Sequence, residues 1–164
     1  MGDGYPLIPE DLPAQFRAAM RRLAASVSIV VAQGEDGPVG IAATSITSLT
    51  ADPPAVLVSV NRTTSLHALL VPTAPLSINL LARDQSAVAA AFGGGLPRHQ
   101  RFSIGNWTEG SNGLPSLSEA QANLECVIDA MLAYGTHSIV IARVLRASVQ
   151  DKVDPLIYQD GGYL

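Results

Sequence analysis

Residues 34–70 read GEDGPVGIAATSITSLTADPPAVLVSVNRTTSLHALL. Two apolar runs lie here, and neither of their connections is long enough to hold a helix. GEDG, residues 34–37, is a tight turn in which Gly37 can take positive φ. The run from Pro38 to Ala51 reads as strand, broken by small polar residues at Thr44 and Ser45. Asp52-Pro53-Pro54 is a stiff corner that cannot sit inside a central ladder. Ala55 to Val60 is the next strand. Strands joined this closely pair antiparallel, because a parallel pair needs a crossover of a dozen or more residues. After Val60 the chain changes character. Asn61, Arg62, Thr63, Thr64 and Ser65 are all polar, and Leu66, Leu69 and Leu70 follow at helical spacing with His67 among them. A short helix is expected to begin near Thr64 or Ser65.

The flanking sequence continues the pattern. Residues 26–33, SVSIVVAQ, are a β-branched strand. Before it, residues 9–25 read as an amphipathic helix with Phe16, Met20 and Leu23 on one face. Residues 1–11 form an N-terminal arm to a single domain spanning 1–164. Downstream, APLSINLLA is a strand. DQSAVAAAFG is a short helix with Asp84 or Ser86 as cap and Gly93 past its end. Residues 93–116 are a long Gly-rich loop, of a kind that is usually functional. Two long strands, AQANLECVIDAMLAY and SIVIARVLRASVQ, meet at a bend at Tyr134-Gly135-Thr136-His137, and DPLIYQDGGYL closes the chain. Many strands, short connections and few helices predict a mainly β fold: an antiparallel barrel with peripheral helices.

Composition narrows the function. Of the 164 residues 48% are apolar and 15% charged, which excludes a disordered chain and leaves apolar surface for a subunit interface. The net charge is −4 and the ten Lys and Arg residues are scattered, so no nucleic-acid partner is expected. No apolar run approaches the roughly 20 residues of a membrane helix. The first residues have neither a basic stretch nor an apolar core, so no signal peptide or membrane partner is expected. The one cysteine, Cys126, sits in an apolar strand and reads as a buried hydrophobe. A cytoplasmic location follows.

Several weak chemical signals stand beside one another. The 61–67 joint, with hydroxyls, Asn61, Arg62 and a helix start, suits a phosphate or carboxylate, although a helix cap alone explains part of it. AATSITS, residues 42–48, offers a wall of small side chains with Thr44, Ser45 and Thr47 as hydrogen-bonding groups. His137, alone at a bend, is by itself a surface residue. Arg101 and Phe102 offer a cation and an aromatic face. The three histidines lack metal-ligand spacing, there is no CxxC, and no G-x-S-x-G elbow, Rossmann or P-loop fingerprint is present.

The order of these pieces carries more than any one of them. FRAAMRRLAASVSIVVA, GIAATSITSLTADPPAVLVSVNRTTSLHALL, SINLLARDQ, the Arg101-Phe102 pair, LECVIDAMLAYGTHSIVIARV and PLIYQDGGY together resemble the flavin reductase-like family over residues 12–164. The resemblance implies an FMN-binding split β-barrel and an NAD(P)H:flavin oxidoreductase. It implies FMN or FAD as flavin, NADH or NADPH as hydride donor, a homodimer, and a monooxygenase partner that receives the reduced flavin. By position, Thr44, Ser45, Ile46 and Thr47 match the stretch along the isoalloxazine ring. Asn61, Arg62, Thr63, Thr64, Ser65, Leu66 and His67 match the stretch that holds the ribityl chain and phosphate. Arg101 and Phe102 match the loop over the flavin, while His137 and Tyr163 match the nicotinamide side. Such chemistry needs no protein nucleophile or general base, since the cofactor supplies the reactive centre. The sequence departs from the family at Thr136, where an Asp is usual before the histidine. A flavin carrier without reductase activity is the alternative this leaves open, and a module binding another phosphorylated ligand is a third.

Overall fold

The computed structural model describes residues 9–164, so the part of the N-terminal arm at 1–8 lies outside the described residues. Seven strands form the main sheet: β2 (Ser28–Gly34), β3 (Gly37–Ala43), β4 (Ile46–Ala51), β5 (Pro54–Asn61), β6 (Pro75–Leu80), β9 (Ala122–Tyr134) and β10 (His137–Val149). Two small sheets complete the set: a three-stranded one, β1 (Ala25–Ser26), β11 (Ile157–Gln159) and β12 (Gly162–Tyr163) in that order, and a two-stranded one, β7 (Trp107–Glu109) with β8 (Pro115–Leu117). Among the described residues two α-helices, α1 (Leu12–Met20) and α2 (Ser86–Ala90), lie outside the sheet.

The main sheet runs β3-β2-β6-β9-β10-β5-β4, with every pairing antiparallel. Its edge strands, β3 and β4, are consecutive in the chain and separated only by Thr44 and Ser45. That connection forces the two edges together, so the sheet curls into a barrel whose seam lies at those two residues. The interior takes one side chain in two from each strand. Val30, Val39, Val56, Val58, Val60, Ile78, Cys126, Ile128 and Val140 meet there, and Leu66 and Leu70 plug one end. β2 is buried on both faces. Ile29 and Val31 pack outward against α2, Phe92 and Leu156, which is why SVSIVVAQ reads as a continuous apolar run.

The expected turns are present. β2 and β3 close at Gly34↔Gly37, with Gly37 at φ 114°; β9 and β10 close at Tyr134↔His137, with Gly135 at φ 55°. The helices differ from expectation. Residues 9–25 hold a helix only over Leu12–Met20, because Ala25 and Ser26 are claimed by β11 through the pairs Ala25↔Tyr158 and Ser26↔Ile157. The leucines at 66–70 do not mark a helix beyond one 3-10 turn, His67–Leu69; their spacing reflects the burial of Leu66 and Leu70 in the barrel end. The helical run that starts at Arg83 breaks at Gly94, φ 111°, rather than at Gly93. The side chain that caps this segment is Gln85, accepting the Ala82 N–H at 2.9 Å, not Asp84 or Ser86. The long loop is also partly regular: Arg98–Ser103 is a 3-10 helix, and β7–β8 is a small hairpin. Phe102 packs edge to face on both Phe92 and Trp107, and Phe92 meets Trp107 at a tilt; the ring centroids are 5.0–5.4 Å apart, and the cluster binds this loop to the helical segment before it.

Candidate functional site

A cleft of about 520 Å³ opens at the barrel seam. One wall is β3, contributing Ile41, Ala42 and Ala43, and it continues into Thr44 and Ser45. The opposite wall is the outward face of β5, with Ser59 and Asn61 two residues apart and therefore on the same side. Thr64 and Ser65 of the following turn, Phe92, Gly93, Gly94, Arg101 and His137 complete the lining.

Local bonds explain why each polar group sits as it does. Across the seam, Ser45 Oγ donates to the Ser59 carbonyl at 2.7 Å, and the Ser59 N–H donates to the Ser45 carbonyl at 3.2 Å. The bend after β5 is an Asx-turn: Asn61 Oδ1 accepts from both the N–H and the hydroxyl of Thr63, each at 2.9 Å. Thr64 donates its hydroxyl and its N–H to the Asn61 carbonyl. Ser65 brings a hydroxyl and a backbone N–H with no partner among the described residues. The bend is latched to the β9–β10 turn by the Arg62 N–H to Thr136 O at 2.9 Å and by His67 Nε2 to Ser138 Oγ at 2.9 Å.

Among the described residues Arg101 is the one Lys or Arg in the lining, and no carboxylate lies there. Its Nε donates to Leu96 O at 3.2 Å and its Nη1 to Gly40 O at 2.9 Å, so the guanidinium is held at the rim with N–H groups to spare. Gly40 has no room for a side chain: a Cβ would come within 2.5 Å of Phe92. The cleft is thus apolar along β3, rich in uncharged donors along β5 and its bend, and positive at the rim. It fits a flat heteroaromatic group carrying an anionic tail.

Of the residues singled out in the sequence, Thr44, Ser45, Asn61, Thr64, Ser65, Arg101 and His137 line this cleft. The others lie elsewhere. Ile46 packs against the barrel core and Thr47 is exposed on edge strand β4. Arg62 reaches back to Gly135 O at 3.4 Å, Thr63 is spent on Asn61, and Leu66 is fully buried. His67 bonds Ser138, and the Phe102 ring belongs to the aromatic cluster. Tyr163 borders an adjoining pocket of about 250 Å³ that shares Ala42, Ala43, Thr44 and Gly93 with the cleft. Burial, with Tyr158 beside it, holds the Tyr163 phenol above its ordinary pKa. The helix-start argument for an anion does not hold, since a single 3-10 turn has no appreciable dipole; the free N–H of Ser65 takes its place. Sequence reading missed Ile41, Ser59, Phe92 and Gly94. Ser59 was within reach, since a residue two before Asn61 on a strand shares its face.

The chain is similar to known proteins over most of its length. The family model described as flavin reductase like domain matches residues 20–164. The reductase component of an FADH(2)-dependent resorcinol hydroxylase from Rhizobium sp. (strain MTP-10005) is 36% identical over 159 residues, covering 96% of this chain and 89% of that protein. An FMN reductase (NADH), RutF, of Stutzerimonas stutzeri (strain A1501) is 37% identical over 158 residues, covering 96% and 88%. The crystal structure of BorF, the flavin reductase component of a bacterial two-component tryptophan halogenase, superposes with a TM-score of 0.84 at 30% identity, covering 93% of this chain and 96% of that one.

Proposed function

The chain belongs to the flavin reductase-like domain family, and we propose that the cleft at the barrel seam is where it reduces flavin. Its activity is NADH-dependent reduction of FMN or FAD, with the reduced flavin supplied to a partner monooxygenase. The observation that carries the placement is the lining itself: apolar side chains on β3, unspent donors on β5 and its bend and, among the described residues, one cation and no carboxylate.

When bound, the flavin supplies the hydride acceptor and the nicotinamide the donor. The chain's residues bind and orient. Ala42, Ala43 and the seam backbone at Thr44 and Ser45 receive the ring. The Ser65 hydroxyl and N–H, with Arg101, receive the phosphate. His137 presents its ring from the β10 end to the nicotinamide side, and Tyr163 closes the adjoining pocket. Phe92 and the loop at 93–101 exclude water.

A homodimer accounts for the apolar surface. Leu12, Phe16 and Met20 form an exposed apolar face on α1, Leu23 is exposed just past its end, and Leu132, Tyr134, Leu145 and Val149 are exposed on β9 and β10. A second copy would cover them. Among the described residues no helix is long and apolar enough to cross a membrane. The unpaired, buried Cys126 and the need for NADH suit the cytoplasm.

The test is anaerobic. Purified protein is mixed with FMN or FAD, NADH is added, and flavin bleaching is followed near 450 nm, roughly the flavin absorption band. Acceleration well above the protein-free rate is expected. Tight flavin binding without acceleration would instead make the protein a flavin carrier.

A further inference from the structure

We infer that Asn79 is a positioning residue for the flavin cleft: its amide holds the backbone of Leu117, and through Leu117 and Trp107 it sets where Phe92 stands in the cleft wall. The inference rests on the flavin reading above.

Its basis is the outer face of β6. Leu76 and Ile78 fill the barrel, so Ser77 and Asn79 point outward, where a solvated face would be expected. Both are nevertheless buried, Asn79 completely. Their cover is β8, which among the described residues pairs with no strand but β7. Side chains fasten β8 to the barrel in place of a ladder. The Leu117 N–H donates to Asn79 Oδ1 at 2.8 Å, Asn123 Nδ2 donates to the Leu117 carbonyl at 3.0 Å, and Ser77 Oγ donates to the Pro115 carbonyl at 3.0 Å. The orientation of the Asn79 amide follows from chemistry. The Leu117 N–H can only donate, and the Ile29 carbonyl, 3.3 Å from Nδ2, can only accept, so oxygen and nitrogen are fixed independently.

From this bond the cleft is two residues away. Leu117 pairs with Trp107 across the β7–β8 hairpin, and its side chain is buried in the cluster that holds Val88 and Phe92. The Trp107 ring lies against Phe102 and Phe92, with centroids 5.1 and 5.4 Å away. Phe92 lines the cleft, and Phe102 follows Arg101, the cation at its rim. Packing here is close: a Cβ at Gly105 would come within 2.9 Å of Leu117 and 3.1 Å of Val88. An apolar side chain at position 79 leaves the Leu117 N–H buried without its acceptor, so β8 must shift to find another. A close-packed cluster transmits that shift to the rings.

Asn79→Leu keeps the volume and removes the bonds. The FMN dissociation constant is measured by flavin fluorescence with the full-length protein, at a temperature where circular dichroism shows the variant folded. It should rise about three- to tenfold. KM for FMN should rise by a similar factor, and kcat at saturating FMN should change less. A role in stability alone predicts a lower Tm with unchanged affinity, and that result overturns the inference. Trp107→Leu tests the route. If Asn79 acts through this ring, the double variant binds FMN no more weakly than Trp107→Leu alone; additive losses overturn the inference. Asn123→Leu, which frees the other side of Leu117, provides an independent arm should Asn79→Leu fail to fold. It should weaken FMN in the same way, and unchanged affinity there also overturns the inference. A wild type that binds no FMN sinks the flavin reading itself, a result distinct from a wild type that binds and variants that match it.

Discussion

The hydroxyl of Thr136 lies 2.9 Å from Nδ1 of the adjacent His137, whose ring lines the cleft. A hydroxyl can donate to an unprotonated Nδ1, which leaves the proton on Nε2. A carboxylate in that position could only accept, and would favour a protonated Nδ1. The Thr136 hydroxyl, which can donate or accept, therefore sets the ring plane whichever ring nitrogen carries the proton.

That relationship predicts a split between turnover and flavin affinity. Thr136→Val should lower kcat with NADH by about three- to tenfold, and Thr136→Ser should recover it, on the scale of lost orientation of a histidine. The FMN dissociation constant should stay within about twofold in both, because the pair lies at the β10 end of the cleft rather than at Ser65. Stopped-flow reduction and fluorescence titration read the two quantities separately. Equal losses in both would place His137 on the flavin itself.

Gly40 offers a test of how the rim is built. A Cβ at this position would meet Phe92 at 2.5 Å and Phe102 at 3.3 Å, and the Gly40 carbonyl receives Arg101. Gly40→Ala should destabilise the fold by about 1–3 kcal/mol, the usual cost of overpacking. Displacement of Phe92 and Arg101 should also weaken FMN. Thermal unfolding with and without FMN measures both, and an unchanged Tm would mean that the aromatic cluster yields freely.

Strand positions in this chain were legible because their neighbours obey local rules. Gly34 to Gly37 and Gly135 to Thr136 turn the chain where glycine permits positive φ, and Asp52-Pro53-Pro54 ends β4. The break at Thr44 and Ser45 was visible too, though its meaning as a barrel seam depends on the pairing of strands far apart in sequence. Helix limits failed where distant chain took over. Ala25 and Ser26 pair with residues 157–158, and Leu66 and Leu70 fill a barrel end. In the site, residue type alone cannot distinguish a side chain that faces the ligand from one that holds its neighbour. Thr63 and Ser65 are both hydroxyl residues in one bend. Only the Asx-turn on Asn61 reveals that Thr63 is already occupied and that Ser65 is not.

Ser65 should therefore behave differently from Thr63. Its hydroxyl and N–H have no partner among the described residues and line the cleft. Ser65→Ala should raise the FMN dissociation constant about three- to tenfold, the loss of one charge-assisted hydrogen bond, while leaving riboflavin within about twofold. Equal weakening of both ligands would move the phosphate away from this bend.

The apolar face of α1 predicts an assembly. Phe16 is 59% exposed and Met20 44% in the isolated chain, and burying such side chains is worth about 1.5–3 kcal/mol each. Light scattering should give the wild type twice the 17.1 kDa chain mass. The double variant Phe16→Asp, Met20→Asp should give the monomer mass while keeping its far-UV spectrum. A wild type already at the single-chain mass would refute the dimer.

Cys126 predicts an alkaline limit to stability. Burial in the barrel, with Glu125 alongside, pushes its thiol up to about 12. In the unfolded chain the thiol ionises near roughly 8.5. Above that pH the unfolded state binds fewer protons than the folded one, so stability falls as pH rises until the folded thiol itself ionises near 12. Below about pH 8 both states keep the proton and this contribution is constant. Urea midpoints compared between pH 8 and pH 10.5 should fall more steeply for the wild type than for Cys126→Ala, since every other ionisable group is common to both. Parallel slopes would show that the thiol reaches solvent, and in that case iodoacetamide would label it in the native protein.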